Sequence, residues 1–419
     1  MVMTKTRLCL FLFLGSLFIR LLVAYQGNFD YHIGDSPKYI AVAESILNGN
    51  PSFILNNGLF VAAPIYPLFI AGCRLVFGEN YILAIQIIQI LCSSITDIFI
   101  FLLCMFLFGS QRIGIFAAVL FGLLPMGIFF TFKVAQETFF TTALVISIYY
   151  LVRVLNDPTK KHLFLSAVFF SIAFLIKSLI GLFSPFIILS ILVSRIPEWR
   201  KKILFSVIYT VICFVFTLPY GLYNLQKLGI YTFSSTGPGC VVYFGNTEMQ
   251  YRFVVETPPK NSPEYLKLLS MDFSFANGSS YDALMLKPIN ERERFFYIEA
   301  YKWARANPYK FLILKIESAK LFLTPSVSKK HYPFKTWLFS LVTIGPVYLL
   351  AYIGIFVALR RDFRQHSWAF WLFISLFVFS VVCGSVSRYR TAMLEPFYII
   401  YAAYAFQLLC DRWFAYKHT

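Results

Sequence analysis

The chain is poor in charged residues, and this scarcity excludes a soluble globular protein. Lysine, arginine, aspartate and glutamate make up 14% of its 419 residues, against roughly 25% in an ordinary soluble domain. Hydrophobic residues make up 58%, and they form uninterrupted runs long enough to cross a hydrocarbon core, which takes about 20 helical residues. Because lipid cannot satisfy the polar groups of an open backbone, the sequence predicts an all-α integral membrane protein.

The sequence also lacks the motifs of well-known soluble enzymes. It contains no phosphate-binding glycine loop, no dinucleotide fingerprint, no metalloprotease helix and no serine–histidine–aspartate arrangement. The eight cysteines show neither metal-ligand spacing nor a paired framework. Cys73 and Cys240 fall in predicted external segments, so a disulfide between them stays open. We predict no metal site, and no certain cofactor, although the use of a divalent cation is left open.

Basic residues exceed acidic ones, which in a soluble chain would suggest nucleic acid. The formal net charge is +17, but the basic residues gather in short loops, as the positive-inside rule requires of cytoplasmic loops. Nucleic-acid binding is therefore not expected, and the predicted partners include membrane lipids instead.

Apolar runs predict about ten transmembrane helices, within a range of nine to thirteen. The predicted spans cover about 8–25, 81–108, 113–132, 137–155, 163–177, 179–194, 203–223, 336–359, 368–385 and 391–411. Between the first two spans, Pro64 and Pro67 interrupt an apolar stretch that also carries Arg74, which favours an interfacial helix.

The charges of the loops predict that both termini are cytoplasmic. Lys5 and Arg7 precede the first span, and each loop that alternation places inside is basic. Two long segments then fall outside, at about 26–80 and 224–335. We expect three parts: a membrane module over 1–223 that includes the first external loop, the large external loop 224–335, and a second membrane module over 336–419.

Three acidic residues are candidates for chemistry. Asp35 precedes a helix that starts with Ser36 and Pro37, where a carboxylate either caps the helix or catalyses. Glu137 lies at the outer start of the fourth span, where an acid is commonly just interfacial. Asp97 lies near mid-membrane, and the nearby hydroxyls of Ser93, Ser94 and Thr96 favour a structural hydrogen bond.

Three basic residues lie at the outer ends of predicted spans, where the positive-inside rule does not account for a positive charge. Lys177, Arg388 and Arg390 each need a partner, a ligand or a lipid headgroup. An arginine presents a planar fork that suits phosphate, and a lysine presents a point charge.

Short segments in a fixed order resemble the GT-C glycosyltransferase superfamily, specifically bacterial relatives of the protein O-mannosyltransferases and the lipid A aminoarabinose transferase (glycosyltransferase family 39-like). A span ends near Arg20, and Gly34–Asp35 then leads into a helix that contains Tyr39 and ends before Gly49. The later matching segments are "APIYPLFIAGCRLVFG", "AQETFF", "AFLIKSLIGLF", "VVYFGN", "AYKWARANPYKFLILKI" and "RYRTAMLEPFYIIYAAYA".

This resemblance implies a GT-C fold and the transfer of a sugar from a polyprenyl-phosphate donor on the extracytoplasmic face, with inversion. It implies that Asp35 is the catalytic base and that Glu137 is a second acid, next to a metal ion or supporting the site. It also implies donor-phosphate binding by Lys177, Arg388 and Arg390. Tyr39, Tyr66 and Asn246 would belong to substrate loops. Ser36 departs from the family pattern, because many members carry a second acid there.

The resemblance leaves the acceptor open among a protein, a glycolipid and a cell-envelope glycan. We expect the inner (plasma) membrane of a bacterium, with the endoplasmic reticulum membrane as the alternative. A transporter or flippase is the rival function, with Asp97 and Lys177 as a coupling pair, and a non-catalytic scaffold is a third. Transporters usually show two related halves, which this sequence does not.

Overall fold

The computed structural model describes most of the chain. The described residues are 4–27, 30–55, 60–235, 237–258, 262–263, 284, 287–329, 332–384 and 387–417. The central part of the predicted external segment 224–335 therefore lies outside the described residues.

The N-terminal part consists of one long helix followed by short elements. They are α1 (Lys5–Gln26), α2 (Ser36–Leu47), the antiparallel strands β1 (Ile54–Leu55) and β2 (Phe60–Val61), and α3 (Ile65–Phe77). Pro64 precedes α3, which suits a residue that cannot donate within a helix. A 3-10 turn over Gly78–Asn80 then connects α3 to the next helix.

The central part is a run of apolar helices. They are α4 (Tyr81–Phe108), α5 (Gln111–Gly122), α6 (Pro125–Thr131), α7 (Glu137–Asn156), α8 (Lys160–Ile176), a 3-10 helix (Ser178–Phe183), α9 (Ser184–Val193) and α10 (Trp199–Leu228). The hydroxyls of Ser110 and Thr159 accept the first free amides of α5 and α8. Gly109 ends α4 in the left-handed conformation.

The C-terminal part begins with short external helices and ends with three long ones. The elements are α11 (Pro238–Phe244), α12 (Glu248–Tyr251), a π-helical turn (Arg252–Glu256), α13 (Ile289–Ala306), α14 (Pro308–Leu323), α15 (Phe334–Arg361), α16 (Phe363–Cys383), α17 (Ser387–Met393) and α18 (Glu395–Lys417).

The all-α membrane prediction is confirmed, because the described residues are overwhelmingly helical and the β hairpin is their single sheet. Each of the ten predicted apolar spans coincides with a helix or a pair of helices. Six helices of the described part are long and apolar enough to cross a membrane, or seven if α5 and α6 form one bent span. The 57° bend between α5 and α6 divides the predicted span 113–132.

The interfacial helix predicted within 61–78 corresponds to α3. It continues through the 3-10 turn into α4, so that Ile65–Phe108 forms one 44-residue helical run. The eight cysteines are all free, and Cys73 and Cys240 are buried separately.

The core of the bundle contains a point of direct backbone contact between α15 and α18. A Cβ atom added at Gly354 would lie 2.0 Å from the carbonyl oxygen of Tyr401. A real Cβ atom cannot approach that closely, so glycine is what allows these two helices to touch.

Candidate active site

Asp35 lies at the turn that opens α2, next to Gly34 with its positive φ of 28°. Its side chain makes no capping hydrogen bond to the helix, and its Oδ1 atom lies 3.0 Å from the Nζ atom of Lys38. The side chain is 31% exposed, so solvent or a substrate can reach it. The capping function considered from the sequence is thus not formed, and the carboxylate is accessible.

The turn before α2 is tied to the segment that leads into α7. The hydroxyl of Ser36 donates to the carbonyl of Val134 at 2.8 Å, and the amide of Val134 donates to the carbonyl of Tyr31 at 3.0 Å. The ammonium group of Lys133 donates to the carbonyl of Asp30. Ser36 therefore has a structural reason to differ from an acid, because its buried hydroxyl attaches the turn to the bundle.

Glu137 and Lys177 form a buried ion pair. Glu137 is the first residue of α7, and Lys177 follows α8 in an extended conformation. The distance from Nζ of Lys177 to Oε1 of Glu137 is 3.0 Å, and both side chains are at most 5% exposed. The two residues predicted to act separately are thus joined, and the charge that Lys177 brings to this end of the bundle is already balanced by Glu137.

Tyr39 and Tyr66, which were expected in substrate loops, are buried residues of the helices α2 and α3. Their rings meet edge to face with centroids 5.4 Å apart, and both side chains are buried. The hydroxyl of Tyr66 donates to Oε1 of Gln89 at 3.1 Å. Gln89 in turn donates to the carbonyls of Thr131 and Lys133. The pair therefore helps to hold the segment that connects α6 to Glu137.

Arg390 is buried and holds the end of α14. Its Nη1 atom donates to the carbonyls of Phe322, at 2.9 Å, and of Thr324. Its guanidinium group also lies 4.9 Å from the ring centroid of Tyr348. Some of the N–H groups of Arg390 are thus already used in hydrogen bonds within the protein. Arg388 belongs to α17, but its side chain lies outside the described residues.

Asn246 joins the external segment to α16. Its buried side chain donates to the carbonyls of Val242, at 2.6 Å, and of Val382, at 2.9 Å. Lys315 of α14 donates to the carbonyls of Gly245 and Val382 at 3.0 and 3.1 Å. Burial lowers the pKa of Lys315 to about 8. Sequence analysis did not single out Lys315, since nothing in the sequence shows that it will be covered.

Asp97 pairs with Arg20 across α1 and α4. Their side chains are buried, with Nη1 of Arg20 3.3 Å from Oδ2 of Asp97. Ser16 donates to the same carboxylate, and Arg20 donates to Ser93. A structural hydrogen bond to Asp97 is thus present, but it comes from Ser16 and Arg20 of α1 and not from the expected hydroxyls of Ser93, Ser94 and Thr96. The transporter hypothesis proposed that Asp97 and Lys177 form a coupling pair. In the structure Asp97 pairs with Arg20 instead, and Lys177 pairs with Glu137.

A small cavity of about 30 Å³ lies beside Glu137 of this pair. Glu395, the first residue of α18, lies in its wall and was not predicted from the sequence. The sequence feature that could have identified Glu395 is an acidic residue followed by proline at the start of an apolar run. The cavity is lined by Ser93, Thr96, Phe121, Leu124, Gly127, Phe130, Glu137, Thr138, Thr141, Thr391, Ala392 and Glu395.

The residues that the structure describes include no group of three or more histidine, cysteine, aspartate or glutamate side chains placed to hold a metal ion. The use of a divalent cation therefore stays a prediction without an assigned site.

In a comparison with known protein families, residues 61–223 match the dolichyl-phosphate-mannose-protein mannosyltransferases. The match confirms, for these residues, the resemblance found in the sequence. No curated protein matches the chain significantly. Two crystal structures of ArnT from Cupriavidus metallidurans are similar, one bound to undecaprenyl phosphate (13% identity, TM-score 0.39) and one in the apo state (14%, 0.41). Each comparison covers 96% of this chain and 76% of the ArnT chain.

Proposed function

We propose that this multi-pass membrane protein is a glycosyltransferase whose donor is a sugar linked to polyprenyl phosphate, because residues 61–223 match the dolichyl-phosphate-mannose-protein mannosyltransferases. The family name supplies the type of donor. The acceptor would be a protein, a glycolipid or a cell-envelope glycan. We place the reaction on the extracytoplasmic face, because the basic loops favour the opposite side as cytoplasmic. The membrane would be the inner membrane of a bacterium, with the endoplasmic reticulum membrane as the alternative.

One observation supports the proposal most strongly, namely the accessible carboxylate of Asp35. It is neither buried nor used as a helix cap, and its Oδ1 atom lies 3.0 Å from Nζ of Lys38. An ionised carboxylate can accept the proton of an acceptor hydroxyl as that hydroxyl attacks the sugar. Attack from the face opposite the phosphate inverts the anomeric carbon. In this proposal Asp35 is the general base.

The leaving group is a lipid phosphate, which departs as an anion and needs stabilisation of its charge. Lys177, Arg388 and Arg390 are proposed to provide it. In this proposal Glu137, which lies 3.0 Å from Lys177, fixes the position of the ammonium group. Glu137 is thus a positioning residue, and Lys177 is the group that would contact the phosphate.

The test is the substitution Asp35→Asn, which keeps the size of the side chain but removes its ability to accept the proton. Transfer of sugar from undecaprenyl-phosphate-mannose or its glucose analogue, assayed in liposomes, should fall about 10²–10⁴-fold. Donor affinity should stay unchanged. Asp30→Asn is the matched control, since Asp30 lies in the same loop and its side chain accepts the local amide of His32.

A folded Asp35→Asn protein with normal turnover would remove Asp35 from catalysis. Equal losses in both variants would instead point to the integrity of the loop as the cause.

A further inference from the structure

Three hydrogen bonds join the loop that precedes α2 to the short segment between α6 and α7. The amide of Val134 donates to the carbonyl of Tyr31 at 3.0 Å, and the hydroxyl of Ser36 donates to the carbonyl of Val134 at 2.8 Å. The ammonium group of Lys133 donates to the carbonyl of Asp30. The loop is therefore held near both of its ends by the same short segment.

The segment is in turn fixed to the bundle by two glutamines of α4. Gln86 donates to the carbonyl of Phe132 at 2.9 Å, and Gln89 donates to the carbonyl of Lys133 at 2.8 Å. The side chain of Val134 is buried in the core. A segment that is anchored in this way can hold a neighbouring loop in a defined position.

Lys133 brings a positive charge into this buried contact. Its side chain is 8% exposed, and its ammonium group lies 5.0 Å from the ring centroid of Phe129 in addition to the carbonyl that it contacts. Neither of these partners carries a charge. Removing an ammonium group from water is costly, and neutral partners compensate for that cost only in part. An apolar side chain of similar length would be cheaper to bury, so stability alone does not account for a lysine here.

The same segment leads directly into the ion pair that the proposed function assigns to the donor phosphate. Glu137 begins α7, and its Oε1 atom lies 3.0 Å from Nζ of Lys177. Asp35 directly precedes Ser36, whose hydroxyl bonds to the segment. The general base and the phosphate-binding lysine of the proposed reaction are thus both positioned through residues 133–137.

We propose that Lys133 is a positioning residue, which clamps the loop of Asp35 to the segment that carries Glu137 and so sets the distance between the base and the donor phosphate. The inference rests on the proposed function and assigns Lys133 no contact with a substrate. The acceptor hydroxyl must meet the base and the sugar at the same time, so a displacement of about 1 Å can lower the rate about 100-fold.

The test is Lys133→Met, which keeps the length of the side chain but removes the ammonium group. Full-length protein in nanodiscs is assayed for sugar transfer from undecaprenyl-phosphate-mannose and its glucose analogue. Turnover should fall about 10–100-fold, whereas KM for the lipid donor should not change. The melting temperature should not fall, because methionine is cheaper to bury than an ammonium group. Lys133→Arg keeps a cationic donor and should retain most of the turnover.

Hydrogen–deuterium exchange measures the clamp without reference to activity. In Lys133→Met, the amide of Val134, which donates to Tyr31, should exchange faster than in the wild type, because the loop is held less firmly. Ser36→Ala removes a different bond of the clamp and should raise the exchange of the same amide. Amides in the middle of α7 should exchange at the wild-type rate in both variants.

Lys302→Met is the matched control. Lys302 is a lysine of α13 whose side chain is 62% exposed and pairs with Glu299, away from the clamp. This variant should show wild-type turnover and wild-type exchange of the Val134 amide.

Two results would overturn the inference. The first is a folded Lys133→Met protein with wild-type turnover and wild-type exchange. The second is a loss of activity that comes entirely from a higher KM for the donor, which would make Lys133 a group that binds the lipid. If the wild-type protein transfers sugar from neither lipid, the proposed function itself fails, and the exchange rates then decide separately whether the clamp exists.

Discussion

Two lysines of α14 show how the environment of a single residue sets its chemistry. Lys310 lies 2.6 Å from Glu248, and this hydrogen bond raises the pKa of the lysine. Lys315, five residues later, donates to backbone carbonyls, and burial lowers its pKa to about 8. One helix therefore carries two lysines whose pKa values are shifted in opposite directions.

We expect an amine-reactive label to distinguish these lysines by pH. Only the neutral amine reacts, so labelling of Lys315 should have its midpoint near pH 8, whereas Lys310 should remain largely unlabelled there. Mass spectrometry of peptides after brief labelling between pH 6 and pH 10 measures both midpoints at once. Reduced access would slow Lys315 without moving its midpoint. Equal midpoints would mean that Lys315 is not covered as described.

The lowered pKa of Lys315 also makes the stability of the folded protein depend on pH. The unfolded chain, with the ordinary lysine pKa of about 10.4, binds the proton more tightly than the folded protein does. Stability from this residue should therefore rise as the pH increases from about 8 towards that value.

At the residue scale, the sequence identified several site residues but not their partners. Glu137 and Lys177 were each singled out, and the structure joins them across 40 positions of sequence. Glu395 and Lys315 were missed, because their importance comes from burial and from neighbours on other helices. Residue type and position relative to the membrane are visible in a sequence, whereas contacts between distant helices are not.

At the element scale, α1 is attached to α4 by a buried ion pair. Arg20 and Asp97 contact at 3.3 Å, with Ser16 and Ser93 as further partners. A lone charge in the membrane interior is expensive, so each member depends on the other. Most of α1 makes little apolar contact with the rest of the protein, since only 22% of its apolar segment is buried. The ion pair therefore provides part of the attachment of this helix.

We expect Arg20→Met to destabilise the protein by about 3–5 kcal/mol, because it leaves Asp97 buried without its cation. The double variant Arg20→Met/Asp97→Leu should recover most of this loss, since it removes both charges. Thermal unfolding in detergent measures the three proteins. If the double variant is as unstable as the single one, the pair contributes more than charge compensation.

Element boundaries were predicted best where a long apolar run determines them. The ten predicted spans all coincide with helices, and α4 ends at Phe108 as expected. The break between α5 and α6 was not predicted, because residues 113–132 contain Pro125 but remain apolar throughout. In the structure Pro125 is the first residue of α6, a position that suits proline. The sequence alone does not show whether a proline in an apolar run starts a new helix or lies within a continuous one.

At the scale of the whole molecule, the charged loops predict which face each segment occupies. We expect a cysteine placed at Asn290 to be labelled by an impermeant maleimide in right-side-out vesicles, because Asn290 is exposed in the external segment. A cysteine at Glu198, exposed in a basic loop, should react only in inverted vesicles.

The parent for both variants has its eight native cysteines replaced by serine, and it should show no labelling. Native Cys73 is a poor reporter, since it is buried. Labelling of both positions from the same side would contradict the predicted topology.

The contact between Gly354 and Tyr401 has a mechanical consequence. At Gly354, α15 meets the backbone of α18 with no side chain between them, so any larger residue at this position would push the two helices apart. Tyr348 and Glu395 lie on these same two helices, so the hydrogen bond between them depends on the same close approach.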